Sequence, residues 1–149
     1  MRKLLPFVLF GLVGCSLPKA ETSEEVYARW DREEQATKAA PPDITLTAEE
    51  LSIAYDKRVG GSYESGEAKY VGKVLKITGR VEWADTSATP KLYLKCVPST
   101  PGVMCWFKSE DIPALAALKE NQEVAVKGRC GGEGGGNVQL EACLLYANN

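Results

Sequence analysis

The stretch "VLKITGRVEWA", residues 74–84, is the clearest strand of the sequence and decides the fold. Its apolar residues alternate with polar ones, the period-two pattern of a strand with one buried face. Gly79 falls on the inward-facing set, where it predicts a sharp bend or a bulge. The sequence therefore predicts a long, strongly curved strand that pairs on both sides, as in a small barrel. The inward-facing apolar residues are Leu75, Ile77, Val81 and Trp83.

Four more strands and one helix follow this stretch. The helix is predicted over residues 109–122, and the glycine-rich residues 131–137 are predicted to form a flexible hairpin loop. One helix between the third and fourth of five strands is the plan of the OB-fold, a mainly β, five-stranded Greek-key barrel. The later strands are predicted over residues 91–96, 103–108, 123–130 and 138–146.

One or two helices are predicted ahead of the barrel. Residues 22–40 are rich in charged and helix-forming residues but poor in apolar ones, so we expect a solvated helix that docks weakly or not at all. Thr47 and Glu50 have the spacing of a capping box, which predicts the start of a second helix. The barrel domain is predicted to comprise residues 44–149.

The N-terminus has the features of an export signal. Residues 4–14 form an apolar run behind Arg2 and Lys3, and this run is shorter than the roughly 20 residues that a membrane-spanning helix needs. Residues 12–15, Leu-Val-Gly-Cys, resemble the lipobox of bacterial lipoproteins. The alternative is an ordinary signal peptide that is cut elsewhere.

The lipobox resemblance implies cleavage after Gly14 and attachment of diacylglycerol to the Cys15 thiol, with acylation of the new amino group, as by palmitate. Residues 1–14 are then the signal peptide, and residues 15–43 are a lipidated tether and charged helix. The expected location is the bacterial cell envelope. Ser16 after the cysteine favours the outer membrane, facing the periplasm, in a host with two membranes.

The other four cysteines predict disulfides, because an exported domain with an even number of cysteines commonly pairs them. The predicted pairs are Cys96–Cys105 and Cys130–Cys143, and the alternative is Cys105–Cys143 with Cys96–Cys130. Cys143 is out of phase with the inward residues of its strand, so the second pair needs a bulge nearby. The absence of a CxxC pair argues against a zinc site and against a thioredoxin-like redox site.

The composition argues against an enzyme. The chain has no histidine, which removes the commonest general base and the commonest metal ligand. Neither a cofactor nor a metal is expected. The formal net charge is −2, and loss of Arg2 and Lys3 with the signal peptide makes the remaining chain more acidic. This charge argues against nucleic acid as a partner.

The outward strand positions suggest a ligand-binding surface. Basic residues interleaved with aromatic ones are typical of the stacking and cationic grooves of OB-folds. The competing interpretation is that these lysines only aid solubility and protect edges, while Trp106 packs under a loop. The candidate ligand-binding residues are Lys76, Arg80, Tyr93, Lys95, Trp106 and Lys108.

Several segments, in this order, resemble the tRNA_anti-like family of OB-fold proteins, many of which are bacterial lipoproteins. They are "LTAEELSIAYD" (46–56), "YVGKVLKITGRV" (70–81), "CWF" (105–107), "LKENQEVAVKGRCGG" (118–132) and "VQLEACLLY" (138–146). The resemblance implies a fold and a location but no catalytic residues. We therefore expect a non-enzymatic, envelope-anchored binding module for a protein, a glycan or an anionic polymer. The alternative is a structural or inhibitory lipoprotein that acts only through protein–protein contact.

Overall fold

Six strands form one mixed sheet in the computed structural model of the chain, which describes residues 22–146. The helices are α1 (Ser23–Ala39), α2 (Ala48–Ala54), α3 (Tyr63–Tyr70) and α4 (Ile112–Ala116), with short 3-10 turns at Lys57–Val59 and Ser109–Asp111. The strands are β1 (Ile44–Thr47), β2 (Val74–Asp85), β3 (Lys91–Leu94), β4 (Gly102–Trp106), β5 (Glu123–Gly134) and β6 (Asn137–Tyr146).

The last five strands close into a barrel. Their order is β2-β3-β4-β6-β5, and antiparallel pairing of β5 with β2 completes the ring. Strands β4 and β6 run parallel, whereas the other neighbours in the barrel are antiparallel. This is the OB-fold predicted from the sequence, with α4 between the third and fourth barrel strands. Strand β1, which was not predicted, adds to β2 in parallel outside the barrel.

The core lies inside the barrel and under α2. Inward residues of β2 and β6, such as Ile77 and Leu140, are fully buried, and so is Leu51 of α2. Helix α2 begins with the predicted capping box: Glu50 N–H donates to Thr47 Oγ1 at 3.1 Å, and Thr47 N–H donates to Glu50 Oε2 at 2.7 Å. The helix ends at Ala54.

The bulge predicted at Gly79 lies elsewhere in β2. Gly79 pairs regularly with Val124, and its position is tight because a Cβ there would lie 3.0 Å from Ala48 Cβ of α2. The register shifts between Val81 and Trp83 instead. This shift turns Trp83 outward, so its predicted inward orientation is wrong.

Two bulges shape the pairing of β5 with β6. Opposite Gly128, β6 contains two residues, and the first, Ala142, has a left-handed φ of 52°. The extra residue turns the Cys143 side chain into the core. A bulge near this cysteine was predicted, because Cys143 is out of phase with the inward residues of its strand. A second register shift lies between Cys130 and Gly132, where Gly132 has a φ of 93°.

Other differences from the sequence predictions concern the bounds of elements. The predicted helix over residues 109–122 is only a 3-10 turn followed by the five residues of α4. Most of the predicted glycine-rich loop, residues 131–134, continues β5, and the hairpin turns at Gly135 and Gly136, both with positive φ. Helix α3 was not predicted.

Candidate functional site

An aromatic surface lies on the outside of the barrel across β2, β3 and β4. We call Trp83, Tyr93, Lys91 and Trp106 the aromatic face. Trp83 is opposite Tyr93 and Lys91 is opposite Trp106 in the sheet, so the pairing of the strands brings all four residues together. The Trp83 and Tyr93 rings are stacked, with centroids 4.0 Å apart and planes at 12°.

Contacts between side chains hold the rest of this face in place. Lys91 Nζ lies 4.8 Å from the centre of the Trp106 ring, in cation–π contact. Trp106 Nε1 donates to Gln139 Oε1 at 3.2 Å, which fixes the orientation of the indole. Trp83 remains 49% exposed. The face therefore offers an open, positioned ring surface with a cation beside it, which suits a ligand that stacks flat rings or sugars.

Of the six candidate ligand-binding residues, the structure places only Tyr93 and Trp106 on the aromatic face. Lys76 lies over the Tyr146 ring, at 5.0 Å, on a different part of the barrel. Arg80 is exposed and opposite Glu123. Lys95 forms an ion pair with Glu120 at 3.2 Å.

Lys108, the sixth candidate, lies under α1. Its Nζ is 2.8 Å from Asp31 Oδ1 and 2.5 Å from Glu34 Oε2. Arg129 on β5 pairs with Glu33 at 2.6 Å. Helix α1 thus docks on the barrel through ion pairs. The prediction that this helix does not dock at all is therefore wrong, whereas weak docking stays a prediction.

The C-terminal end of α1 is held by a third cation, Lys127. Its Nζ donates to the carbonyl oxygens of Lys38 at 2.7 Å and Ala40 at 2.9 Å. These carbonyls form the negative end of the helix dipole, which favours a cation at this place. Lys127 is almost completely buried by the contact.

The ion pairs shift the pKa values of the groups that form them. The hydrogen bond from Arg129 lowers the pKa of Glu33. Burial acts to raise the pKa of Glu34, but the hydrogen bonds from Lys108 and Lys38 outweigh it and leave this pKa lowered. Hydrogen bonds to Asp31 and Glu34 raise the pKa of Lys108. Glu33, Glu34 and Lys108 are therefore charged at neutral pH.

A cleft of about 590 Å³ separates the N-terminal half of α1 from the barrel. Its walls are mainly apolar, and Trp106 belongs both to the cleft and to the aromatic face. The rings of Tyr27 and Trp30 on α1 meet edge to face, with centroids 5.8 Å apart. The residues that line the cleft include Tyr27, Trp30, Pro90, Trp106, Phe107 and Gln139.

All four cysteines of the barrel have free thiols, so neither predicted disulfide is present in the structure. The Cys143 thiol donates to the carbonyl oxygen of Leu140 at 3.4 Å, and burial, with the neighbouring Cys105 thiol, raises the pKa of Cys143. Cys130 lies instead beside the Tyr55 hydroxyl, at 3.8 Å. The geometry thus favours the alternative pair Cys105–Cys143, and the disulfides stay a prediction.

Within residues 22–146, no group of three or more Cys, Asp or Glu side chains is placed to hold a metal ion. In the same part of the chain, no helix is long and apolar enough to cross a membrane. Glu110 and Asp111 lie in the 3-10 turn before α4, and Asp111 Oδ2 accepts from Lys108 N–H at 3.2 Å. Cys15 lies outside the described residues.

Sequence reasoning missed two residues of the aromatic face and two of the cations under α1. Trp83 was assigned to the core because the alternation of β2 gives no sign of the shift after Val81. Lys91, Lys127 and Arg129 stand at outward positions, but the sequence does not show which outward positions meet. One available signal was the carboxylates of α1, Asp31, Glu33 and Glu34, which pair with Lys108 and Arg129.

Comparisons with known proteins agree with this fold. A crystal structure of a "putative nucleic acid-binding lipoprotein" from Klebsiella pneumoniae superposes with a TM-score of 0.51 at 12% identity, covering 69% of this chain and 92% of that chain. A "putative aspartyl-tRNA synthetase" from Leishmania major gives a TM-score of 0.45 at 14% identity, covering 65% of this chain and 19% of that chain. None of the curated proteins compared with the chain matches it.

At such identities the likeness to solved structures shows the fold alone. The family comparison reaches further, because the tRNA_anti-like model matches residues 1–144, nearly the whole sequence. This agrees with the segments that suggested the family in the sequence. The chain belongs to the tRNA_anti-like family, and its described domain is an OB-fold.

Proposed function

We propose that the chain is a lipid-anchored, non-enzymatic binding module of the bacterial cell envelope, and that its aromatic face binds a glycan. The observation that supports this proposal is the exposed stack of Trp83 on Tyr93 beside the Lys91–Trp106 contact. An exposed ring costs the folded protein hydrophobic stabilisation, so a positioned, open stack is better explained by a ligand than by stability. OB-folds use this side of the barrel for oligosaccharides as well as oligonucleotides.

Single-stranded nucleic acid is the second candidate ligand. The name of the Klebsiella pneumoniae structure favours it, although the 12% identity limits that comparison to the fold. The acidic charge of the chain favours the glycan, because nucleic-acid-binding domains usually have an excess of basic residues. The two candidates are separated by testing an N-acetylglucosamine oligosaccharide and a thymidine oligonucleotide side by side.

Replacing both Trp83 and Tyr93 by alanine is expected to weaken binding of the oligosaccharide at least tenfold. Stacking one ring on an aromatic side chain is worth about 1–3 kcal/mol in single-strand-binding OB-folds, and the variant removes two stacking partners. Isothermal titration of the full chain measures this change. The free energy of unfolding should fall by only about 1 kcal/mol, because the lost contact is an outward aromatic pair.

Tyr63→Ala is the matched control, since Tyr63 is an exposed tyrosine of α3 away from this face. It should leave binding unchanged. If the double variant binds the oligosaccharide as the original chain does, the glycan proposal fails. If only the oligonucleotide binds, and the double variant abolishes that binding, the ligand is nucleic acid instead.

Cys15→Ala is expected to abolish lipidation and to release the chain from the membrane. A single acyl chain binds membranes only marginally, so stable anchoring depends on the several chains that a lipobox cysteine receives. Labelling of cells with a radioactive fatty acid, followed by membrane fractionation, measures both effects. Cys96→Ala is the control, because it removes a thiol from the barrel and should leave labelling intact. Label retained by Cys15→Ala would refute the lipid anchor.

A further inference from the structure

The barrel surface under α1 carries three cations, and one of them, Arg129, also pairs with Glu141 of β6 at 3.3 Å. We call Lys108, Lys127 and Arg129 the covered face. Each of the three side chains meets an anionic or electronegative group of α1: carboxylates at Lys108 and Arg129, and terminal carbonyls at Lys127. The helix therefore neutralises a surface that would otherwise attract an acidic partner.

Ion pairs rather than apolar burial hold α1 in place. Only Glu34 and Thr37 of this helix are buried. Its large apolar side chains, Tyr27 and Trp30, are 63% and 54% exposed. Apart from the pair of Lys108 with the buried Glu34, these ion pairs are partly exposed, and such pairs contribute only about 0–1 kcal/mol each and weaken with salt. A competing molecule with the same chemistry can therefore replace the helix at a small cost in free energy.

The chain is anchored to the barrel directly after α1. Pro41 and Pro42 separate the helix from the first barrel-associated strand. Directly after them, Asp43 is tied to β2: its N–H donates to Val74 O at 2.8 Å, and its Oδ2 accepts from Val74 N–H at 2.8 Å. This double contact anchors the chain on the barrel side of the prolines, so a release of α1 would leave β1 in place.

We propose that the covered face is a docking site for an acidic helix of a partner protein, and that α1 is its intramolecular competitor. The contacts of α1 define what the partner must present. Glu33 and Glu34 reach the cations of the barrel, and Trp30, three and four residues earlier on the same side, borders the cleft next to Trp106. The partner helix thus has an aromatic residue followed after three or four positions by carboxylates.

A helix explains the covered face better than a phosphate polymer does. The two carbonyls bound by Lys127 are those of a helix end, which a polyphosphate lacks. The mainly apolar cleft beside the cations accepts an aromatic side chain, as in helix-in-groove recognition. This docking site differs from the proposed glycan site, although the two adjoin at Trp106, and it does not depend on what the aromatic face binds.

The test uses the full chain and, as probe, a fluorescent peptide with the sequence of residues 22–40. In the original chain, α1 opposes the peptide at an effective concentration on the order of millimolar, so binding is weak. The Glu33→Gln/Glu34→Gln variant weakens the docking of α1 on the barrel. We expect this variant to bind the peptide at least tenfold more tightly than the original chain does, which is within the usual range of coupling between competing sites. Fluorescence anisotropy measures the affinity, and hydrogen exchange of residues 23–39 shows whether α1 is released.

Matched variants separate docking from general charge effects. The control variant Glu24→Gln/Glu49→Gln changes the net charge by the same amount as Glu33→Gln/Glu34→Gln, but in the exposed first turns of α1 and α2. It should bind the peptide no better than the original chain does. Adding Lys108→Gln/Arg129→Gln to the Glu33→Gln/Glu34→Gln variant should abolish the gain. If α1 remains protected from exchange, Asp31→Asn is added to remove its last carboxylate on Lys108.

Three results would overturn the proposal. The first is a released α1 without tighter binding of the peptide. The second is a gain that persists when Lys108 and Arg129 are replaced. The third is competition by inorganic polyphosphate. If polyphosphate displaces the labelled peptide at a lower concentration of anionic groups than the unlabelled peptide needs, the site is a general polyanion surface.

Discussion

Leu51→Ala is expected to lower the free energy of unfolding by about 2–5 kcal/mol, the usual cost of emptying a fully buried leucine site. Leu51 is 0% exposed and lies on the inner side of α2 with Tyr55. Helix α2 contacts β1, β2 and β4, so a cavity under it loosens the junction between the helix and the barrel. Because a domain is commonly stable by only about 5–15 kcal/mol, the loss is a large share of the total.

Urea unfolding followed by circular dichroism measures this change. Val59→Ala is the control, because Val59 lies in the 3-10 turn just after α2 and is 54% exposed. Its effect should stay within about 0.5 kcal/mol, as for other surface positions. An effect of Leu51→Ala as small as that of the control would show that α2 does not belong to the core of the domain.

The sequence predicted the elements whose signals are local. The alternation in residues 74–81 and the Thr47–Glu50 capping box depend on neighbours along the chain, and both recur in the structure. Together with the single helix between the third and fourth strands, these signals were enough for the OB-fold. Strand β1 was missed because its position depends on parallel pairing with β2, about 30 residues later in the chain, which the sequence does not show.

The parts that the sequence could not predict depend on contacts between distant segments. Trp83 leaves the core because of one register shift, and a one-residue shift reverses the faces of all following side chains. Docking of α1 depends on pairs such as Glu33–Arg129, which are far apart in the chain. For the same reason only Tyr93 and Trp106 of the aromatic face were predicted. The sequence shows which residues point outward, but it does not show which of them are neighbours across strands.

Gly128→Ala is expected to destabilise the barrel by about 1–3 kcal/mol, the typical cost of overpacking a core. A Cβ at Gly128 would lie 2.7 Å from Cys143 Sγ and 3.1 Å from the backbone oxygen of Glu141. Both distances are too short, because the bulge at Ala142 turns the Cys143 side chain directly toward this position. The clash outweighs the gain of up to about 1 kcal/mol that alanine brings by restricting the unfolded chain.

A double-mutant cycle with Cys143→Ala tests the cause. Removing the sulfur opens the space that the new methyl group needs, so the double variant should be more stable than the sum of the two single effects by at least about 0.5 kcal/mol. The rescue should be partial, since the Glu141 oxygen belongs to the backbone and cannot turn away. Strictly additive effects would show that Cys143 does not face Gly128, and would contradict the bulge that brings this cysteine into the core.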